Sequence, residues 1–160
     1  MTDLKIKEPA TIAPDITIGR ANQTMIKQGV RLLFVVDANQ AVSGLITAED
    51  ILGEKPISLS QERGIEYNQI KVADIMTRQP EIEVLNLQDV LQATVADIVA
   101  TLHHVKRQHA LVVDEPGGDK AFIRGIFSLS MIAGRLGVLV QAQDLDHAFG
   151  QIIARLHDRA

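Results

Sequence analysis

Two short apolar runs in the chain end in the same tripeptide, Val-Val-Asp. The first occupies residues 32–37 (LLFVVD) and the second residues 110–114 (ALVVD). Each is followed by a polar turn and then by glycine, two apolar residues and a hydroxyl residue, at 44–47 (GLIT) and 125–128 (GIFS). Apolar runs of this length, rich in β-branched residues, predict strands that are buried on both faces. The pattern indicates one supersecondary unit that occurs twice, with a longer turn in the second copy, where insertion is well tolerated.

The first copy is predicted to extend over residues 10–53. Its elements are a strand at 10–13, a helix that ends at Gly29, the strand at 32–36, a strand at 42–46 and a helix at 47–52. Asp15 or Thr17 can cap the first helix, and Gly29 stands where a left-handed residue commonly ends a helix. Because neither copy can bury its apolar face alone, we expect the two copies to stack.

The second copy is predicted to have a short helix at 72–76, an entry strand at 81–85 and then a helix capped by Asn86. Apolar residues then recur every three or four positions and indicate one continuous long helix: Leu87, Leu91, Val95, Ile98, Leu102 and Val105. A short strand at 138–140 and a helix capped by Asp144 are expected afterwards. The apolar face of that last helix would comprise Leu145, Phe149, Ile152, Ile153 and Leu156.

Polar composition at residues 54–71 predicts a connection between the copies, and Ser58-x-x-Gln61 with Gly64 beyond it favours one or two helical turns there. The predicted organisation is therefore a first repeat at 1–53, this linker, a second repeat at 72–137 and a C-terminal extension at 138–160. Residues 1–7 are polar and are expected to lie along the surface.

Composition excludes several classes of function. The 160 residues are 46% hydrophobic, which suffices for one core or for two halves that share one. The sequence contains no cysteine, which excludes disulfides, thiolate nucleophiles and cysteine metal sites. A net charge of −4 and 3% aromatic residues argue against a nucleic-acid surface. No apolar run approaches the length of a membrane span, and the start lacks a signal-peptide pattern, so a soluble cytoplasmic protein is expected.

The duplicated order of strand, helix, strand, turn, strand and helix resembles a tandem pair of cystathionine-β-synthase-type (CBS) domains. Residues 10–53 and 72–134 carry the resemblance, and Val72-Ala-Asp-Ile-Met-Thr77 adds to it, whereas the first unit has Ile6-Lys-Glu-Pro9 instead. The resemblance implies an α/β (α+β) fold of two pseudo-symmetric β-α-β-β-α repeats packed through their sheets, with an extra C-terminal helix. It also implies a standalone regulatory module, a homodimer that signals to a protein partner by a conformational or oligomeric shift.

An adenosyl ligand (AMP, ADP, ATP or S-adenosylmethionine) is what the resemblance implies for two clefts between the repeats. Thr47-x-x-Asp50 matches the family's junction motif, in which the carboxylate contacts the ribose hydroxyls and the hydroxyl lies near a phosphate. Gly44, Ala48 and Arg31 adjoin this motif and complete the expected site of the first repeat. In the second repeat Ser128 keeps the hydroxyl, but Met131 occupies the acidic position and cannot accept ribose hydrogen bonds.

Each candidate feature also has a structural interpretation. Thr47-x-x-Asp50 is equally a capping box. The basic side chain of Arg31, with Gln108 in register, can belong to a solvated rim. Gly117-Gly118-Asp119 lacks the context of a phosphate-binding loop and predicts a hairpin turn. Three histidines, His103, His104 and His109, lie near Asp97 in the sequence but their spacing does not converge on a metal.

Three functions follow, in order of preference. The first is a regulatory module that binds an adenosyl ligand, and the second is a ligand-free structural scaffold for dimerisation. The third is a metal-dependent enzyme centred on the histidines. No acid pair, histidine base or nucleophile arrangement stands out in the sequence, so we expect no catalysis.

Overall fold

The computed structural model describes residues 1–114, 122–138 and 145–157. The chain forms two compact units. The first-repeat unit is Glu8–Ile82, and the second-repeat unit combines Met1–Lys7 with Glu83–Ala160. This division differs from the predicted boundaries, because residues 54–82 join the first repeat and residues 1–7 join the second.

Short strands and helices alternate along the described residues. The strands are β1 (Thr2–Asp3), β2 (Thr11–Ile12), β3 (Leu32–Val36), β4 (Val42–Thr47), β5 (Thr77–Arg78), β6 (Val84–Asn86), β7 (His109–Asp114) and β8 (Phe122–Ser128). The helices are α1 (Ile18–Gln28), α2 (Ala48–Leu52), α3 (Lys55–Arg63), α4 (Val72–Ile75), α5 (Leu87–Gln92), α6 (Val95–His104), α7 (Leu129–Leu136) and α8 (Leu145–His157). Single 3₁₀ turns occur at Tyr67–Gln69 and Gln79–Glu81.

The first-repeat unit is built on a four-stranded sheet in the order β2-β3-β4-β5. Strands β2 and β3 are parallel and are connected by α1, while β3, β4 and β5 are antiparallel. The first four residues of β3 are buried, as the apolar run predicts. Gly29 has a left-handed φ of 64° and its N–H donates to the Ile26 carbonyl, which confirms it as the residue that ends α1.

The second-repeat unit has a matching sheet in the order β1-β8-β7-β6. Strands β6 and β7 are parallel and β7 and β8 are antiparallel, as in the first repeat, but two helices, α5 and α6, connect β6 with β7. The predicted α/β fold class is confirmed. The Asn86 side chain accepts from Gln88 N–H at 2.8 Å and caps α5, as predicted.

Each unit has its own apolar core. The core of the first-repeat unit includes Ile18, Ala21, Met25, Leu33, Val35, Ile46, Ile51, Ile70, Val72 and Ile75. The core of the second-repeat unit includes Ile98, Val99, Leu102, Leu129, Ile132, Ala133, Phe149 and Ile152. Full burial of one such aliphatic or aromatic side chain stabilises the fold by roughly 1.5–3 kcal/mol. The C-terminal helix α8 therefore belongs to the second core through Phe149 and Ile152.

The prediction of one long helix in the second repeat is wrong. Helix α5 ends at Gln92, Ala93 is extended with ψ 148°, and α6 begins after Thr94. Thr94 and Asp97 form a capping box that starts a new helix at this point. Leu91 is consequently 70% exposed, whereas Leu102 on α6 is only 1% exposed.

Residues 54–71 are not merely a linker. Helix α3 begins at Lys55, with Pro56 in its first turn, three residues before the predicted Ser58, and it ends at Gly64 with a left-handed φ of 64°. The chain then returns to α1, where Ile18 N–H donates to the Ile70 carbonyl at 3.0 Å. Ile70 is fully buried, so this segment completes the core of the first-repeat unit.

The fourth strand of each sheet comes from the segment that precedes the other repeat. Thr77 and Arg78 of β5 pair with Leu45 and Gly44, and Thr2 and Asp3 of β1 pair with Ile126 and Gly125. The two segments read Met76-Thr-Arg78 and Met1-Thr-Asp3. The Met-Thr dipeptide therefore precedes both repeats, although no helix leads into it before the first one, and residues 2–3 form a strand that the sequence pattern did not predict.

Three predictions fall outside the described residues: the hairpin at Gly117-Gly118-Asp119, the strand at residues 139–140 and the cap at Asp144. Among the helices of the described segments, none combines the length and the apolar content that crossing a membrane requires.

Candidate functional site

Thr47 and Asp50 lie at the junction between β4 and α2. Asp50 Oδ2 accepts hydrogen bonds from Thr47 N–H at 2.9 Å and from Thr47 Oγ1 at 2.8 Å. Asp50 N–H in turn donates to Thr47 Oγ1 at 3.2 Å. These reciprocal bonds are the capping box that the Thr-x-x-Asp spacing predicts, and they start helix α2.

The second carboxylate oxygen of Asp50 has a different partner. Lys55 Nζ at the start of α3 lies 2.5 Å from Asp50 Oδ1. The Asp50 side chain is only 12% exposed, whereas that of Lys55 is 51% exposed. The capping box orients the carboxylate, and a solvent-facing cation neutralises it.

A second Thr-x-x-Asp sequence in the chain serves as an internal comparison. Asp97 Oδ2 accepts from Thr94 N–H at 2.8 Å and Oγ1 at 2.7 Å, and Asp97 N–H donates to Thr94 Oγ1 at 3.2 Å. The hydroxyl bond, followed by the N–H bond, holds the pKa of Asp97 below its usual value. Asp97 is exposed, and no Lys or Arg among the described residues pairs with it. The capping box is thus common to both acids, and of the two only Asp50 is half-buried and paired with a lysine.

The other predicted residues of the first repeat lie around the same junction. Ala48 is buried, and its N–H donates to the Arg31 carbonyl at 2.9 Å, which brings the backbone just before β3 against the start of α2. Gly44 is buried on β4 beside Thr77 of β5, with no room for a side chain. Of the residues predicted from the sequence, the structure therefore brings together Thr47, Asp50, Ala48 and the backbone of Arg31.

The second repeat has the same junction with different chemistry. Leu129 N–H donates to the Gln108 carbonyl at 2.9 Å, which confirms the register of Gln108 with Arg31. Ser128 precedes α7 as its capping residue but makes no capping bond, and its Oγ lies 2.8 Å from Ser130 Oγ. Ser128 belongs to the second-repeat unit.

Met131 occupies the position that corresponds to Asp50. Thr2 Oγ1 on β1 donates to Met131 Sδ at 3.3 Å. A thioether is a weak acceptor and carries no charge. This junction therefore lacks an acceptor for a pair of ribose hydroxyls, and a side chain of the same unit contacts the thioether.

Sequence reasoning missed Lys55 and Thr2. The signal for Lys55 was a basic residue five positions after the acid, and the signal for Thr2 was the repetition of Met-Thr at residues 1–2 and 76–77. Both were overlooked because residues 1–7 and 54–71 were interpreted as surface and linker.

The histidines do not form a metal centre within the described segments, where no group of three or more His, Asp or Glu side chains is placed to hold an ion. The ring of His103 instead packs on the ring of Phe149, with centroids 4.7 Å apart. This contact connects α6 with α8 in the second core.

The sequence model of the CBS domain family matches residues 1–56. No curated protein matches the sequence significantly. An uncharacterized conserved protein from Pyrococcus horikoshii superposes with a TM-score of 0.59 at 22% identity, covering 88% of this chain and 96% of that one.

Two further solved structures contain ligands. CBSX2 in complex with AMP has a TM-score of 0.54 at 22% identity, covering 80% of this chain and 85% of that one. The CBS domain pair of protein MJ0100 was solved in complex with 5′-methylthioadenosine and S-adenosyl-L-methionine. It has a TM-score of 0.55 at 22% identity, and the match covers 86% of this chain and 97% of that one.

The two repeats have the fold of a CBS-domain pair. Residues 1–56 match the sequence model of the CBS domain, and the matched segment includes β1. The resemblance predicted from the two Val-Val-Asp units is therefore confirmed.

Proposed function

We propose that the protein is a regulatory module that binds an adenosyl ligand through Asp50 and Thr47 of the first repeat. The observation that carries the proposal is the Asp50 carboxylate, which is 12% exposed and oriented by Thr47. A carboxylate is suited to the two vicinal hydroxyls of a ribose because it offers acceptor sites and no donor when ionised. The AMP complex of CBSX2 and the 5′-methylthioadenosine and S-adenosyl-L-methionine complex of MJ0100 support this class of ligand.

The proposed mechanism is thermodynamic linkage. A ligand that binds one conformation or oligomeric state more tightly than another shifts the equilibrium by that difference in affinity. The module itself performs no reaction, and a protein partner responds to the state that the ligand favours.

The proposed working unit is a homodimer in the cytoplasm. Exposed apolar side chains on the helices of the first-repeat unit support an association surface, among them Ile26 at 73%, Leu52 at 66% and Ile57 at 57%. Sedimentation velocity at micromolar concentration tests this part, and a single monomeric species would contradict it.

A second candidate function is a ligand-free scaffold. It is favoured by the second repeat, where Met131 replaces the acid and accepts from Thr2 within its own unit. If both junctions serve only the fold, Asp50 is a capping residue and no small molecule binds there.

Thermal unfolding with a panel of adenosyl compounds distinguishes the two functions. AMP, ADP, ATP, adenosine, 5′-methylthioadenosine and S-adenosylmethionine are compared, with zinc and manganese added separately. A ligand at a hundred times its Kd adds about 2.7 kcal/mol of stability, or roughly 5–10 °C for a chain of this size. A shift that is lost in Asp50→Asn supports the regulatory function, whereas no shift with any adenosyl compound supports the scaffold.

A further inference from the structure

The acceptor sites of the Asp50 carboxylate are nearly all occupied. An ionised carboxylate has about four lone-pair sites on two oxygens. Two sites on Oδ2 are taken by Thr47 N–H and Oγ1, and one on Oδ1 is taken by Lys55 Nζ. One acceptor site remains, whereas a vicinal diol that donates both hydroxyl hydrogens needs two.

Lys55 is the partner that a ligand can displace most readily. The two Thr47 bonds belong to the capping box that starts α2, so losing them would disturb the helix. Lys55 instead reaches Asp50 from the first residue of α3, and its side chain is 51% exposed on a flexible stem. Because the lysine side of this ion pair faces solvent, breaking the pair costs little free energy.

Displacement of Lys55 has an electrostatic consequence that depends on the ligand. When ribose hydroxyls take both sites on Oδ1, the ammonium loses its counter-ion. A ligand with a phosphate brings a new anion for this ammonium, so the charge balance is restored. Adenosine or 5′-methylthioadenosine brings no anion, and the sulfonium of S-adenosylmethionine brings a further positive charge.

We infer that Lys55 determines ligand specificity and selects phosphorylated adenosyl ligands over neutral or cationic ones. This inference rests on the proposed function, because it assumes that ribose binds at Asp50. Lys55 acts first as the counter-ion of the empty site and then as a cation for the phosphate. As the counter-ion, Lys55 weakens the binding of every ligand whose ribose must displace it. As the cation for a phosphate, it compensates for this loss of affinity only in phosphorylated ligands.

Calorimetric titration of AMP and of adenosine into the wild type and into Lys55→Met tests the inference. The variant keeps an apolar stem and removes the ammonium. Adenosine is expected to bind Lys55→Met more tightly and AMP more weakly, so that the preference for AMP falls by about fivefold or more. Lys55→Arg keeps the charge and is expected to retain the preference for AMP.

Arg63→Met is the matched control, because Arg63 is a 59% exposed cation at the other end of the same helix, where it pairs with Asp74. In Arg63→Met, the ratio of AMP affinity to adenosine affinity is expected to equal that of the wild type. An unchanged ratio in Lys55→Met, with both ligands bound, overturns the inference and leaves the proposed function intact. Absence of binding by every adenosyl compound to the folded wild type overturns the proposed function and this inference with it.

Discussion

The backbone of Gly44 approaches Thr77 so closely that a Cβ at residue 44 would lie 2.5 Å from the Thr77 carbonyl oxygen. This contact brings β5 against β4, where Gly44 pairs with Arg78. The same relationship recurs in the second repeat, where a Cβ at Gly125 would lie 2.8 Å from the Thr2 carbonyl oxygen. Glycine at these two positions is therefore required by the fourth strand of each sheet, and the resulting sheet supports the junction that carries Asp50.

Gly44→Ala is expected to lower the free energy of unfolding by roughly 1–3 kcal/mol, because the backbone of β5 must move away. Gly19→Ala is the control, since a Cβ at Gly19 in α1 meets no atom within 4 Å. That control is expected to stabilise the protein by about 0.5–1 kcal/mol. Urea denaturation measures both, and equal effects of the two substitutions would contradict the close packing of β5.

The broken helix of the second repeat is tested by two leucines that the sequence pattern places on one stripe. Leu102 is 1% exposed and Leu91 is 70% exposed. Leu102→Ala is expected to destabilise the protein by about 2–5 kcal/mol, and Leu91→Ala by less than about 0.5 kcal/mol. Comparable losses of unfolding free energy in both variants, measured by chemical denaturation, would support a single long helix instead.

The two capping boxes predict equal structural effects from two threonines. Thr47→Ala and Thr94→Ala each remove the hydroxyl that accepts from the third residue of a helix, at 3.2 Å in both cases. Each substitution is expected to destabilise the protein by about 1 kcal/mol. Thermal unfolding measures the losses, and unchanged stability in either variant would mean that its box does not cap the helix.

The attachment of β1 to β8 predicts a dependence of stability on pH. The hydrogen bond from Arg124 holds the pKa of Asp3 below its ordinary value of 3.8. A depressed carboxyl pKa stabilises the folded state above the unfolded-state value, and this stabilisation is lost as pH falls through the lower folded-state value. The difference in stability between wild type and Asp3→Asn is therefore expected to be constant at neutral pH and to vanish in acid. A difference that persists unchanged down to pH 2 would refute the ion pair.

Local signals predicted the parts of the fold that depend on short stretches. The apolar run at Leu32–Val36, the left-handed Gly29 and the Asn86 cap are each determined by a few neighbouring residues. The junction of Thr47 and Asp50 was likewise predicted, because its box spans four consecutive positions.

Contacts between distant parts of the chain were not predicted. Strand β1 pairs with residues 125–126, more than 120 positions away, and a two-residue strand has no periodicity of its own. The long helix was misjudged because an apolar repeat outweighed the Thr94-x-x-Asp97 box inside it. Lys55 was missed because it approaches Asp50 only through the turn between α2 and α3 at Gly53–Glu54, and this spacing belongs to no established motif.

We propose that the Asp50 carboxylate binds a ligand in addition to capping α2. Calorimetric titration of AMP into Asp50→Asn and Asp97→Asn compares two acids with the same box geometry, of which only Asp50 is half-buried and paired with a lysine. Asp50→Asn is expected to lower the affinity for AMP by about tenfold or more, while Asp97→Asn leaves that affinity unchanged. Equal AMP affinity in both variants and the wild type, with all three folded, would show that Asp50 only caps the helix.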